Sequence, residues 1–171
     1  WSDSDKLFAE NIGISYFSPE TIFHIKEEIH IPTIKLSNDF EIIIMVGYPG
    51  SGKTTIAEYI KQQNNNYTII SGDVFKNPLK MINYSKQFLN ISSIIFDSTN
   101  SSKKKRKIYI DFAKQNDYSV KCIYVSTSMD ISYKRNKCRD NKQQVPRIAF
   151  NVYKKYFEIP DESEGFHLLI I

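Results

Sequence analysis

Ile42-Ile43-Ile44-Met45-Val46-Gly47-Tyr48-Pro49-Gly50-Ser51-Gly52-Lys53-Thr54 is the stretch on which the reading of this chain turns. Its first half is a continuous β-branched apolar run, the pattern of a strand buried on both faces of a parallel sheet. Its second half fits GxxxxGK(S/T) in full. Glycines there let backbone N–H groups close around phosphate oxygens, where a Cβ would block the approach. The loop should open a helix, whose N-terminus favours anions. Three of the six glycines of the chain are spent on this loop. A nucleoside triphosphate such as ATP is therefore the expected ligand. Lys53 is placed to reach its β- and γ-phosphates and Thr54 to offer a hydroxyl to Mg²⁺. Gly47, Tyr48, Pro49, Gly50, Ser51, Gly52 and the following Thr55 complete the nucleotide-binding set.

Outward from the loop, strand and helix patterns alternate. Strands are predicted at 42–46, 67–71, 92–96, 120–126 and 166–171. Helices are predicted at 53–63, 102–116, 129–139 and 145–157, with a broken helical region at 75–90 around Pro78. That alternation implies an α/β domain with a parallel sheet. Residues 1–38 differ. A helical pattern spans 3–11, Gly13 follows, and Ser18-Pro19-Glu20 reads as the capped start of a second helix. Residues 32–39 read as a linker.

The 171 residues suit one domain with a short appendage, and 41% hydrophobic content is enough for a core. A net charge of +4 is compatible with an anionic substrate without requiring one. Cys122 and Cys138 lack CxxC spacing, and His24, His30 and His167 show no ligand spacing, so neither zinc nor a disulfide framework is indicated. With no signal peptide and no apolar run long enough for a bilayer, the expectation is an intracellular, nuclear or cytoplasmic protein without membrane contact.

Three further segments carry possible chemistry. Asp73 ends the second strand, where the carboxyl ends of an open α/β sheet line a ligand crevice. It is placed either to accept a proton from an attacking hydroxyl or to cap the next helix. Asp97-Ser98-Thr99-Asn100 ends the third strand. Asp97 there suits a Mg²⁺-bound water or a neighbouring catalytic group, the alternative being a loop that caps the next helix through Thr99, Asn100 or Ser101. The basic run at 103–107 winds round a whole helix and reads as a solvated face rather than a nucleic-acid patch. Tyr133 through Asp140 is basic and helical and reads as a phosphate-clamping lid, with Arg135 and Arg139 four apart on one face.

In this order the motifs resemble the kinase domain of the bifunctional polynucleotide phosphatase/kinase family. The resemblance rests on the Gly47–Thr54 loop, Asp73, the Asp97-Ser98-Thr99-Asn100 run, Asn136 and Arg139, and Glu164-Gly165-Phe166. Ser98 stands where the family usually has Asn, and Lys134 and Arg135 depart from its lid pattern. Gly72 stands where the family often has Arg, with Lys76 as a candidate replacement. The resemblance implies an adenylate-kinase-like P-loop NTPase fold, a five-stranded parallel sheet with helices on both faces, over 39–171. It implies ATP and Mg²⁺ as cofactors, Asp73 as general base, Lys53 and Arg139 as catalytic cations, and Thr54 and Asp97 at the metal. Arg135 and Asn136 join the nucleotide-binding set. The implied acceptor is a nucleic-acid 5′-hydroxyl end, DNA ahead of RNA, in end repair by a monomeric enzyme. Residues 1–38 resemble the end of the haloacid-dehalogenase-like phosphatase domain plus a linker. Without the body of that domain, 3′-phosphatase activity is not expected. The loop alone also admits a sugar or nucleoside kinase, or a non-catalytic nucleotide-binding module.

Overall fold

The computed structural model describes residues 3–14 and 31–171, and the chain divides into two compact units, 1–30 and 31–171. Of the first unit, helix α1 (Asp3–Asn11) is described, closed by Gly13 at φ 70°. That left-handed turn lets Gly13 N–H donate to Glu10 O and Ile14 N–H to Ala9 O, which satisfies carbonyls at the helix end. The helix start read at Ser18 lies outside the described residues.

The second unit is built on β1 (Glu41–Val46), β2 (Tyr67–Ser71), β3 (Ser93–Asp97), β4 (Ser119–Tyr124) and β5 (His167–Ile170). All pairings are parallel and the strand order is 2-3-1-4-5. This is the P-loop NTPase arrangement, and β1 is its centre. Each residue of β1 is buried, as the uninterrupted apolar run demands. Period-two alternation then divides its side chains between two cores. Ile42, Ile44 and Val46 join Ile94, Phe96, Cys122 and Tyr109 on one face. Ile43 and Met45 join Ile56, Ile60, Ile95 and Ile123 on the other.

Helices cover both faces. They are α2 (Lys53–Gln63), the one-turn α3 (Gly72–Phe75), α4 (Pro78–Ser85), α5 (Lys103–Gln115), α6 (Met129–Lys137) and α7 (Arg147–Tyr156). The region expected to break around Pro78 does so. Asn77 caps α4, its side chain accepting from Leu79 N–H, and Pro78 takes the first helical position, where its missing N–H does no harm. Among the described residues no helix is long and apolar enough to cross a membrane.

The stretch read as a linker packs on the sheet instead. Ile31, Ile34 and Leu36 lean on the second core. Lys121 Nζ donates to Lys35 O at 2.6 Å and to Glu41 Oε2 at 2.9 Å. Tyr67 donates its hydroxyl to Glu41 Oε1 at 2.6 Å. The compact unit therefore starts at Ile31, ahead of the boundary at residue 39 expected from the change of pattern and the resemblance.

Candidate active site

The chain leaves β1 in one direction to reach β2 and, through β3, crosses back to β4 on the other side. That reversal opens a crevice at the carboxyl end of β1, the usual seat of ligands in open α/β sheets. A cavity of about 690 Å³ lies there, lined by Pro49, Gly50, Lys53 and Thr54 of the loop and by Asp73, Asp97 and Arg139. Side chains widely separated in sequence thus share one space.

The loop holds its shape through left-handed backbone. Gly50 sits at φ 76°, and a Cβ there would run into the Ser132 carbonyl of α6. Glycine is required by both conformation and space. Lys53, at the start of α2, is 7% exposed, and its ammonium donates to Tyr48 O at 2.6 Å. Burial pushes its pKa down to about 8; Asp97 opposes the fall, Arg139 adds to it, and Asp73 opposes it. Thr54 donates its hydroxyl to Asp97 Oδ2 at 2.6 Å. A hydroxyl and a carboxylate converging at the end of the phosphate loop are hard oxygen donors of the kind Mg²⁺ takes, with waters and phosphate completing its shell. The donor set fits the ion.

Tyr48 contributes differently from its place in the motif. Its ring packs on Tyr153 at 4.3 Å and on Phe150 at 6.1 Å, so the side chain joins an aromatic cluster under α7. Thr55 is exposed on α2 and does not line the cavity.

Asp73 lies in the first turn of α3. Its alternative role as cap falls to Ser71, whose hydroxyl accepts from Asp73 N–H at 3.2 Å. The neighbouring Gly72 is pressed against the β3 loop, and a Cβ there would come within 2.7 Å of Ser98 Cβ. Two of the positions that depart from the resembled motifs, Gly72 and Ser98, are therefore neighbours. Lys76, considered as a replacement for the Arg, ends α3 in a left-handed turn at φ 55° and is not among the cavity residues.

The lid departs from its expected geometry. α6 stops at Lys137, so Arg139 lies beyond the helix and reaches the cavity, whereas Arg135 stays on the helix near Ser51 O. They do not share a helical face. Asn136 is fully buried, and its amide donates to Val145 O and accepts from Val145 N–H, both at 2.9 Å. Gln144 Nε2 donates to Arg139 O at 2.8 Å. These bonds fold 138–145 into a closed loop that presents Arg139. Asn136 acts on that loop, and neither it nor Arg135 lines the cavity.

The basic run holds a residue that the solvated-face reading missed. Lys103, Lys104, Lys105 and Lys107 are exposed, but Arg106 is fully buried. Its guanidinium grips Glu164 in two bonds of 2.8 and 2.7 Å and donates to Asn100 O at 3.2 Å. Asn100, itself left-handed at φ 41°, donates its amide to Met45 O, and Gly47 N–H donates to Thr99 O. Arg106 thereby ties the chain end at Glu164 to the loop beside Asp97. Its signal was helical spacing, since Arg106 shares a face with Tyr109, Ile110 and Ala113. The cap of α5 is Ser102, not Thr99, Asn100 or Ser101.

Comparison with known proteins fits this geometry. The Zeta toxin family model matches residues 35–88 and the AAA domain model residues 90–160. The chain is 32% identical to the bifunctional polynucleotide phosphatase/kinase of Schizosaccharomyces pombe, across 96% of its own length and 46% of that protein. It is 30% identical to a homologue of that enzyme from Acanthamoeba polyphaga mimivirus, across 97% of its length and 47% of that protein. The chain thus spans about half the length of the curated relatives it matches. Kti12 of Chaetomium thermophilum, solved with ADP-AlF3, superposes with a TM-score of 0.64 at 18% identity, over 76% of this chain and 88% of that one. At that identity the likeness speaks for the fold alone.

Proposed function

We propose that this chain, a homologue of the bifunctional polynucleotide phosphatase/kinases, is an ATP-dependent polynucleotide 5′-hydroxyl kinase. The carrying observation is the gathering of Lys53, Thr54, Asp97, Asp73 and Arg139 around one cavity at the end of β1. In the reaction the acceptor hydroxyl gives its proton to the Asp73 carboxylate while its oxygen bonds to the γ-phosphorus. The bond from that phosphorus to the β–γ bridging oxygen breaks, and ADP leaves. The Lys53 ammonium and the Arg139 guanidinium face the charge that builds on the phosphoryl oxygens. Mg²⁺, held through Thr54 and Asp97, would supply further neutralisation of the β- and γ-oxygens. The closed loop tied by Asn136 keeps Arg139 in place.

Residues 1–38 are read as the end of a phosphatase domain plus a linker, of which 31–38 pack with the kinase unit, and 3′-phosphatase activity is not expected of them alone. The matches to both relatives support that reading, because at 96% and 97% of the chain they take in most of those residues. The test of the kinase is transfer of labelled γ-phosphate from ATP to a 5′-hydroxyl oligonucleotide. Asp73→Asn should lower the rate about 10²- to 10⁴-fold; full activity in that variant removes Asp73 from the base role. Matched DNA and RNA acceptors separate the two substrates, with DNA expected to be the better.

A further inference from the structure

The cavity does not end at the phosphate loop. A further arm of it is lined by Lys105 in the first turn of α5 and by Val152, Lys155 and Tyr156 of α7. α7 buries Phe150 and Tyr153 toward the core. An amphipathic helix should then turn polar side chains to water. Here instead Ile148, Val152 and Tyr156 recur every four residues and are 71%, 50% and 58% exposed. Tyr153, which also lines the cavity, carries a buried hydroxyl with no hydrogen-bond partner among the described residues. Buried polar groups are rarely left so unless something else satisfies them. Glu158 also lines this arm, but its Oε2 accepts from Lys103 N–H at 2.8 Å, which partly compensates the negative charge.

An apolar wall with an aromatic ring, flanked by two ammonium groups and opening onto a phosphoryl-transfer site, matches the chemistry of a nucleoside followed by a phosphate. Aromatic rings stack on any base, and lysines neutralise backbone phosphates without reading sequence. Lys155 Nζ lies 5.3 Å from the Tyr156 ring centroid, so charge and stacking surface are adjacent.

We infer that this arm seats the first nucleoside of the acceptor strand, its base against Val152 and Tyr156 and the phosphate on its 3′ side between Lys105 and Lys155. The inference rests on the kinase reading and deepens it. It predicts an enzyme indifferent to the identity of the terminal base.

The experiment measures steady-state phosphorylation of a 5′-hydroxyl oligonucleotide by the unaltered chain, Tyr156→Ala, Tyr156→Phe and the Lys105→Ala/Lys155→Ala double variant. Tyr156→Ala should raise KM for the oligonucleotide about tenfold or more while KM for ATP stays constant, and Tyr156→Phe should retain near-normal KM. The lysine variant should raise the same KM and flatten its dependence on salt. Lys104→Ala, exposed on α5 but outside the cavity, controls for general charge and should change neither. An oligonucleotide KM unmoved by both the Tyr156→Ala and the lysine variants overturns the seat while leaving the kinase intact. Failure of the unaltered chain to phosphorylate any oligonucleotide overturns the kinase reading and the seat together.

Discussion

Two lysines at opposite ends of the same sheet are buried almost equally, Lys53 at 7% and Lys121 at 8% exposure, and are treated in opposite ways. Lys121, at the amino end, is ion-paired with Glu41, and that carboxylate is further held by the Tyr67 hydroxyl and by Ser37 N–H. Lys53, at the carboxyl end, rests on a neutral acceptor, the Tyr48 carbonyl, and burial pushes its pKa down to about 8. Glu41 gives Lys121 a full counter-charge, which makes that end of the sheet a fastening. Lys53 has no such ion pair, and under the function proposed above its charge is left for an anion. Which end binds can be told from how completely a buried charge is answered.

The largest effect that would sharpen this contrast is on catalysis. Lys53→Met should lower the rate of phosphate transfer on the order of 10³-fold. Thermal unfolding without nucleotide should show no loss of stability, because the cost of burying that charge outweighs its attraction to Asp97 and Asp73. A large fall in melting temperature would instead make Lys53 a structural residue. Lys121→Met should do the reverse. It leaves Glu41 buried without its cation and should destabilise by about 3–5 kcal/mol in urea titrations, with normal turnover per folded molecule. Adding Glu41→Gln to Lys121→Met should recover part of that loss, and equal damage in single and double variants would argue against a charge effect.

The smallest effect is on pH. The Lys53 pKa is lowered from 10.5 to about 8, so the unfolded chain binds the extra proton between those values. The contribution of Lys53 to stability is therefore unfavourable below pH 8 and is relieved as pH rises from about 8 to 10.5. ATP affinity should move the opposite way, falling several-fold as pH rises from about 8 to 9 and the free ammonium deprotonates. Calorimetric titration across that range reads it directly, and an affinity flat from pH 7 to 9 would show that the charge on Lys53 does not govern binding.

The sheet and the phosphate loop were legible because their signals are local. A β-branched run, a complete glycine pattern and a following helix lie within a dozen residues of one another. Arg106 was hidden because a run of five charges suggests solvent, while its partner Glu164 is 58 residues away. The lid misled for a related reason. Spacing of four predicts a shared face only if the helix continues, and α6 ends before Arg139. Asn136 and Tyr48 show the same limit. Their places in a motif did not reveal that one amide would hold Val145 and one ring would enter an aromatic cluster. At 145–157 only a helix is read; the exposed apolar stripe on α7 follows from what the fold leaves uncovered.

The packing of Ile31, Ile34 and Leu36, with the bond from Lys121 to Lys35, bears on how such a module can be inherited. A gene fusion or fission with its breakpoint at residue 39 would separate a catalytic domain from the strap on which a buried cation depends. A breakpoint ahead of Ile31 would instead keep residues 31–38 with the sheet they pack on.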